Sequence, residues 1–178
     1  MRVGALALAM VTVGLLPAAS CRREHGAIGT HRPRQLDSAA RQIIGFLRGE
    51  VDFDRIRVAD AVTFYVSPEG GGARAELTRA QLRDRSNWKV RGPGGGLRSL
   101  LPSHGMTKLT TRVGRHLNCL EYALSSRYPE LAQLPHVGTK LEPANPTSCL
   151  QTRNLTLVFD PHERPPTLIG AVYDQWEW

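Results

Sequence analysis

The stretch that most restricts the fold is the last one. Asn154 to Phe159 (NLTLVF) and Thr167 to Trp178 (TLIGAVYDQWEW) are rich in β-branched and aromatic residues, and they flank the turn DPHERPP. Two such runs around a proline-rich turn read as an antiparallel hairpin of long strands. In the second run both faces are apolar as far as Tyr173, the pattern of a strand with neighbours on both sides. The end of the chain therefore belongs inside a sheet.

Upstream, the periodicity changes. Ala39, Ile43, Phe46 and Leu47, with Ile44 beside them, fall on one stripe at helical spacing. Asp37 or Ser38 is placed to cap that helix, and Gly49 to end it. VADAVTFYV (Val58 to Val66) reads as a strand, Pro68 to Gly72 as a turn, and Ala73 to Leu77 as a returning partner. Thr78 opens a short helix, TRAQLRDR. Trp88 to Val90 and Leu97 to Leu101 are weak strand candidates around Gly-Pro-Gly-Gly-Gly, and a helix is expected over Leu117 to Ser126. No internal repeat is visible. The expected class is α+β: an N-terminal helix packed on a curved antiparallel sheet, ending in a long C-terminal β-hairpin.

The opening segment is of another kind. Arg2 precedes an apolar run from Val3 to Leu16, and Ala18-Ala19-Ser20 leads directly into Cys21. This is the layout of an export signal. Small residues running into a cysteine resemble the lipobox of bacterial lipoproteins, where the cysteine is acylated and becomes the new N-terminus. Ala18 stands where that pattern usually has Leu. Ordinary cleavage after Ser20 and an uncleaved anchor stay open, though Arg22 and Arg23 on the outer side disfavour the anchor. The expected organisation is a signal peptide over 1–20, a basic flexible tether over 21–36, and a single domain over 37–178. The protein would sit on the outer face of the cell membrane or in the medium.

Three cysteines, Cys21, Cys119 and Cys149, make an odd set for an exported chain. Lipidation of Cys21 leaves an even pair, which an oxidising compartment would join. A Cys119–Cys149 bridge closes a 31-residue loop and contributes about 3.5 kcal/mol in the chain-entropy view.

Charge narrows the function classes. The net charge is +7, but the cations are 20 Arg against only Lys89, Lys108 and Lys140, a bias typical of a GC-rich genome. Arg74, Arg79, Arg83, Arg85, Lys89, Arg91 and Arg98 are interleaved with Glu69, Glu76 and Asp84, and the last 25 residues are net acidic. Nucleic-acid binders gather their charge on one stripe. No nucleic-acid partner is expected. The partners expected are the membrane, through the lipid on Cys21, and an envelope protein or small ligand that the sequence does not name.

The closing LIGAVYDQWEW resembles the last strand of a family of lipoproteins of unknown function from high-GC Gram-positive bacteria. That strand commonly reads as an aliphatic pair, Gly, two apolar residues, then His-Asp-Gln-Trp. Leu168-Ile169-Gly170 and Asp174-Gln175-Trp176 match it, with Tyr173 in place of the His. The resemblance runs loosely from Asp37 to Trp178. It implies a cystatin-like or nuclear-transport-factor-like fold and an envelope location, and carries no activity with it.

Five chemical readings compete. His116-Leu117-Asn118-Cys119 is locally similar to cysteine hydrolases, which set a thiolate at a helix start and bring an imidazole from elsewhere, here His136 or His162. A structural Cys119 paired with Cys149 competes with it and is preferred. For metal, His25, His31, His104, His116, His136 and His162 form no ligand motif, and Asp160, His162 and Glu163 share a solvated turn. Gly70 to Gly72 and Gly92 to Gly96 lack the spacing of a phosphate loop. Asn154-Leu155-Thr156 fits a glycosylation pattern that bacteria seldom use. Asp174 and Trp176 share a strand face beside Tyr173, so these three are the candidate pocket residues, with core closure as the competing role. The resulting expectation is a binding or scaffolding protein with no catalytic activity, cofactor or metal. A cysteine hydrolase using Cys119 and a small-molecule module near Tyr173 and Asp174 are the alternatives.

Overall fold

The computed structural model describes residues 31–66, 72–91, 97–102, 105–117, 124–148 and 151–174. In chain order these hold α1 (Pro33–Arg48), β1 (Val58–Val66), β2 (Arg74–Thr78), α2 (Arg79–Leu82), β3 (Lys89–Arg91) and β4 (Leu97–Ser99). They continue with β5 (Met106–Val113), α3 (Leu124–Arg127), α4 (Pro129–Ala132), β6 (His136–Pro143), β7 (Arg153–Phe159) and β8 (Leu168–Asp174). The class is α+β.

One open six-stranded sheet runs in the order β2-β1-β8-β7-β6-β5, and β3 pairs with β4 apart from it. The sheet is mixed, which corrects the expectation of a wholly antiparallel one. β8 is antiparallel to β7, pairing Leu155 with Tyr173, but parallel to β1, pairing Phe64 with Ala171. The parallel pair arises because β8 enters between β7 and β1. Both of its sides are bonded, as the two apolar faces of LIGAVY require.

α1 starts five residues earlier than a cap at Asp37 would put it, with Arg32 in the cap position. Pro33 supplies a φ already suited to a helix at the first position, where its missing N–H leaves nothing unpaired. Gln35 then accepts the Arg32 N–H through its side chain at 3.2 Å. Residues 33–36, expected in the tether, belong to this helix, and His31 and Leu36 are buried. At the other end the helix stops at Gly49, as expected. Its φ of +82° lies in the left-handed region, and the N–H groups of Gly49 and Glu50 close back on Phe46 and Gly45.

Leu36, Ala40, Ile43, Ile44, Phe46 and Leu47 of α1 share one core with Val62 and Phe64 of β1, Leu155 and Leu157 of β7, and Ala171 and Tyr173 of β8. Trp88 is central to it, with ring centroids 5.6 Å from Phe46 and 5.5 Å from Phe64. Its indole N–H donates to the Leu82 carbonyl at 2.9 Å, so the one polar atom of a fully buried ring is satisfied.

The alternate residues of β7 and β8 face the other way. There Val158 and Val172 pack with Leu124, Leu131 and Ala132, and Tyr65, Tyr128, Leu134 and Ile169 border the cluster. Both faces of the central strands are thus covered, one by α1 and one by the segment between β5 and β6. Of the helix expected over Leu117 to Ser126, Leu117 is not helical and Leu124 begins α3; residues 118–123 lie outside the described residues.

Candidate functional site

The second face of the sheet carries a polar cluster among apolar neighbours. Strand alternation places His136 and Gly138 of β6, Asn154 and Thr156 of β7, and Asp174 of β8 on this side. Above them runs the segment after β5. Gly138 makes that approach possible: a Cβ there would stand 2.2 Å from the Arg115 carbonyl oxygen and 2.9 Å from the Leu117 nitrogen. A side chain at 138 would lift residues 115–117 off the strand.

With the segment seated, His116 is held from both ends. Its Nε2 lies 2.9 Å from Asp174 Oδ2, and its Nδ1 is hydrogen-bonded to the Thr156 hydroxyl. When Nε2–H donates to the carboxylate, a neutral ring has only Nδ1 left as acceptor, and Thr156 fills it. Arg127 of α3 reaches the same carboxylate, Nη1 to Oδ1 at 3.2 Å. The side chains of His116, Asp174 and Arg127 are 1%, 0% and 4% exposed. Two cationic or potentially cationic groups on one carboxylate, out of water, make a tight knot that ties the covering segment to the sheet.

His136 stands at the entrance to β6 on the same side. Burial pushes its pKa below the ordinary histidine range, and the neighbouring His116 adds to the effect. The Leu134 carbonyl, which accepts from Nδ1–H at 2.8 Å, and the Gly114 backbone offset this only in part. Burial thus favours the neutral form of His136.

Open space among the described residues lies along α1 instead. A groove of about 660 Å³ separates α1 from β5, lined by Asp37, Arg41, Thr111 and Arg112 among others. Arg41 donates to Asp37 at 2.9 Å and to the Thr111 hydroxyl at 3.1 Å, and that hydroxyl donates to Asp37. Burial raises the Asp37 pKa, but the Thr111 and Arg41 contacts outweigh it and hold the carboxyl below its usual range. A second groove, of about 430 Å³, lies against the turn at Pro165 and Pro166.

The residues singled out in the sequence fall as follows. Tyr173 and Asp174 are both buried, on opposite faces of β8: the Tyr173 hydroxyl accepts from Arg153, and Asp174 belongs to the knot. Trp176, Cys21, Cys119 and Cys149 lie outside the described residues. His162 is in the exposed turn, where its backbone N–H donates to Asp160 Oδ1 at 2.7 Å. Among the described residues no group of three or more His, Cys, Asp or Glu is arranged to hold a metal, and no helix is long and apolar enough to cross a membrane. Sequence reasoning missed Thr156 and Arg127 as partners of His116 and Asp174. The signal available was a polar residue at alternate positions of an otherwise apolar strand. No protein-family model, no curated protein and no solved structure matches this chain.

Proposed function

We propose that the chain is an exported cell-envelope protein, held at the outer face of the membrane by a lipid on Cys21, and that it acts by binding or scaffolding rather than by catalysis. The observation that carries the non-catalytic reading is the closure of His116. Both ring nitrogens are engaged and the side chain is 1% exposed. A general base needs a free nitrogen within reach of the proton it takes, and here Thr156 holds that position. The anchor is supported by the apolar run ending in Cys21 and by the odd cysteine that lipidation would consume. The same reading keeps Cys119 and Cys149 as a structural disulfide, and a helix on a curved sheet closing with a C-terminal hairpin as its frame. Its partner is an envelope protein or a small ligand.

One observation favours a second reading, a cysteine hydrolase. His116 stands three residues before Cys119 and has the carboxylate of Asp174 to orient it, the arrangement an imidazole base requires. In that case the Thr156 contact must open to release Nδ1. Thiol labelling separates the two. The binding reading predicts no iodoacetamide-reactive thiol in the oxidised mature protein, and a peptide joining Cys119 to Cys149. Fast labelling of Cys119 at or below neutral pH, unaffected by Cys149→Ser, marks a depressed thiol pKa and establishes the hydrolase instead.

A further inference from the structure

We propose that the groove between α1 and the Pro165–Pro166 turn is a binding site for a phosphate-bearing anion. The inference rests on the binding reading above and names the ligand chemistry for it. Three cations line this groove, Arg34 from the first turn of α1 and Arg55 and Arg57 from the segment leading into β1, and no carboxylate does. Elsewhere Arg41 pairs with Asp37, Arg48 with Glu50, and Arg83 with Asp54. Arg34, Arg55 and Arg57 have no such partner among the described residues. Three guanidinium groups thus line one concavity, and among the described residues no carboxylate pairs with them.

The rest of the lining suits an oxyanion. The Gln35 side-chain oxygen is spent on the Arg32 N–H, which leaves its amide nitrogen as a donor. Ser38 and Gln42 add further donors, while Ala39 and Ile43 give an apolar floor. Guanidinium forks match the oxygens of phosphate in pairs, and arginine is weakly hydrated enough to release its water to them. A volume of about 430 Å³ is at the small end of ligand sites. It fits a phosphate monoester or one lipid headgroup, not a folded partner. The first turn of α1 adds the positive end of a 16-residue helix.

The test uses the mature protein, from residue 21 on, with Cys21→Ser, so that neither the apolar leader nor an acyl group can hold it to vesicles. Glycerol phosphate is titrated calorimetrically, and vesicles of phosphatidylglycerol or of phosphatidylcholine are floated with the protein. The proposal expects binding to glycerol phosphate, to phosphatidylglycerol vesicles, or to both, and none to phosphatidylcholine. A response to glycerol phosphate identifies a soluble ester as sufficient; a response to vesicles alone identifies the headgroup. Arg55→Gln with Arg57→Gln should weaken binding at least tenfold, whereas Arg83→Gln, whose partner is Asp54, should leave it unchanged. All three positions are exposed, and equal melting temperatures verify the fold. No binding at 10 mM glycerol phosphate (roughly a thousand times the concentration at which a 10 μM site half-fills) and none to either vesicle overturns the proposal. An equal loss in Arg83→Gln does the same, since it reduces the effect to net charge. A reactive Cys119 would sink the binding reading and leave this titration standing; a failed titration, where the native protein proves acylated at Cys21 and bridged between Cys119 and Cys149, would sink the site alone.

Discussion

His116 and Asp174 are 58 residues apart in the chain, yet Nε2 of one lies 2.9 Å from Oδ2 of the other with neither side chain more than 1% exposed. That contact, with Arg127 on the same carboxylate, is what joins the segment after β5 to the last strand. It is made on the face of the sheet opposite α1, so its loss would loosen one covering without touching the main core.

Asp174→Ala is expected to cost about 3–5 kcal/mol, because it removes a buried carboxylate that both His116 and Arg127 contact. The exposed pair offers the contrast: Asp54 is 76% exposed and meets Arg83 at 3.2 Å, so Asp54→Ala should stay within about 0.5 kcal/mol. Urea denaturation of both variants measures the difference. A cost below about 1 kcal/mol for Asp174→Ala would show that the knot is not a structural tie.

The depressed pKa of His136 makes stability depend on pH. The unfolded chain takes up this proton near the ordinary histidine value of 6.5, while the folded chain resists it to lower pH. Between those two points the unfolded state binds more protons, so stability falls as pH falls, and the contribution is fully present above the unfolded value. Denaturation midpoints between pH 8 and 5 should decline in the parent and decline less in His136→Gln. An identical slope in both would remove His136 as the cause.

Gly138→Ala forces the Arg115 carbonyl away from its 2.2 Å approach, and the neighbour is backbone that cannot swing aside. About 1–3 kcal/mol is expected, the usual cost of overpacking, with faster proteolysis near residues 115–117. Gly170→Ala is the control, since its nearest neighbour, the Thr63 carbonyl oxygen, stands at 3.4 Å. Equal effects at the two glycines would contradict the close crossing.

Where side chains alternate or repeat locally, the sequence was readable. The apolar run of β8, the β-branched VADAVTFYV of β1, the stripe of α1 and its Gly49 stop all appear in the structure. β5 and β6 were not readable. MTKLTTRV is mostly polar and partly exposed because β5 is an edge strand, and HVGTKLEP is broken in pattern by the very glycine that admits residues 115–117. The start of α1 was misplaced because Asp37 looks like a cap, whereas it bonds sideways to Arg41 and Thr111. Of the knot, the sequence pattern singles out only Asp174 as a site residue. His116 stands out only for its nearness to Cys119, and nothing local to either residue encodes a contact across 58 positions.

The central claim, an envelope protein anchored through its lipidated cysteine, is tested most directly by the mass of the N-terminal peptide of the mature protein from the membranes of its own cells. The account predicts a peptide that begins at Cys21, carries a diacylglycerol mass, and partitions with the detergent phase, with Cys21→Ser abolishing both. A mature protein beginning at Cys21 with an unmodified thiol, or recovered from the medium without lipid, would contradict it.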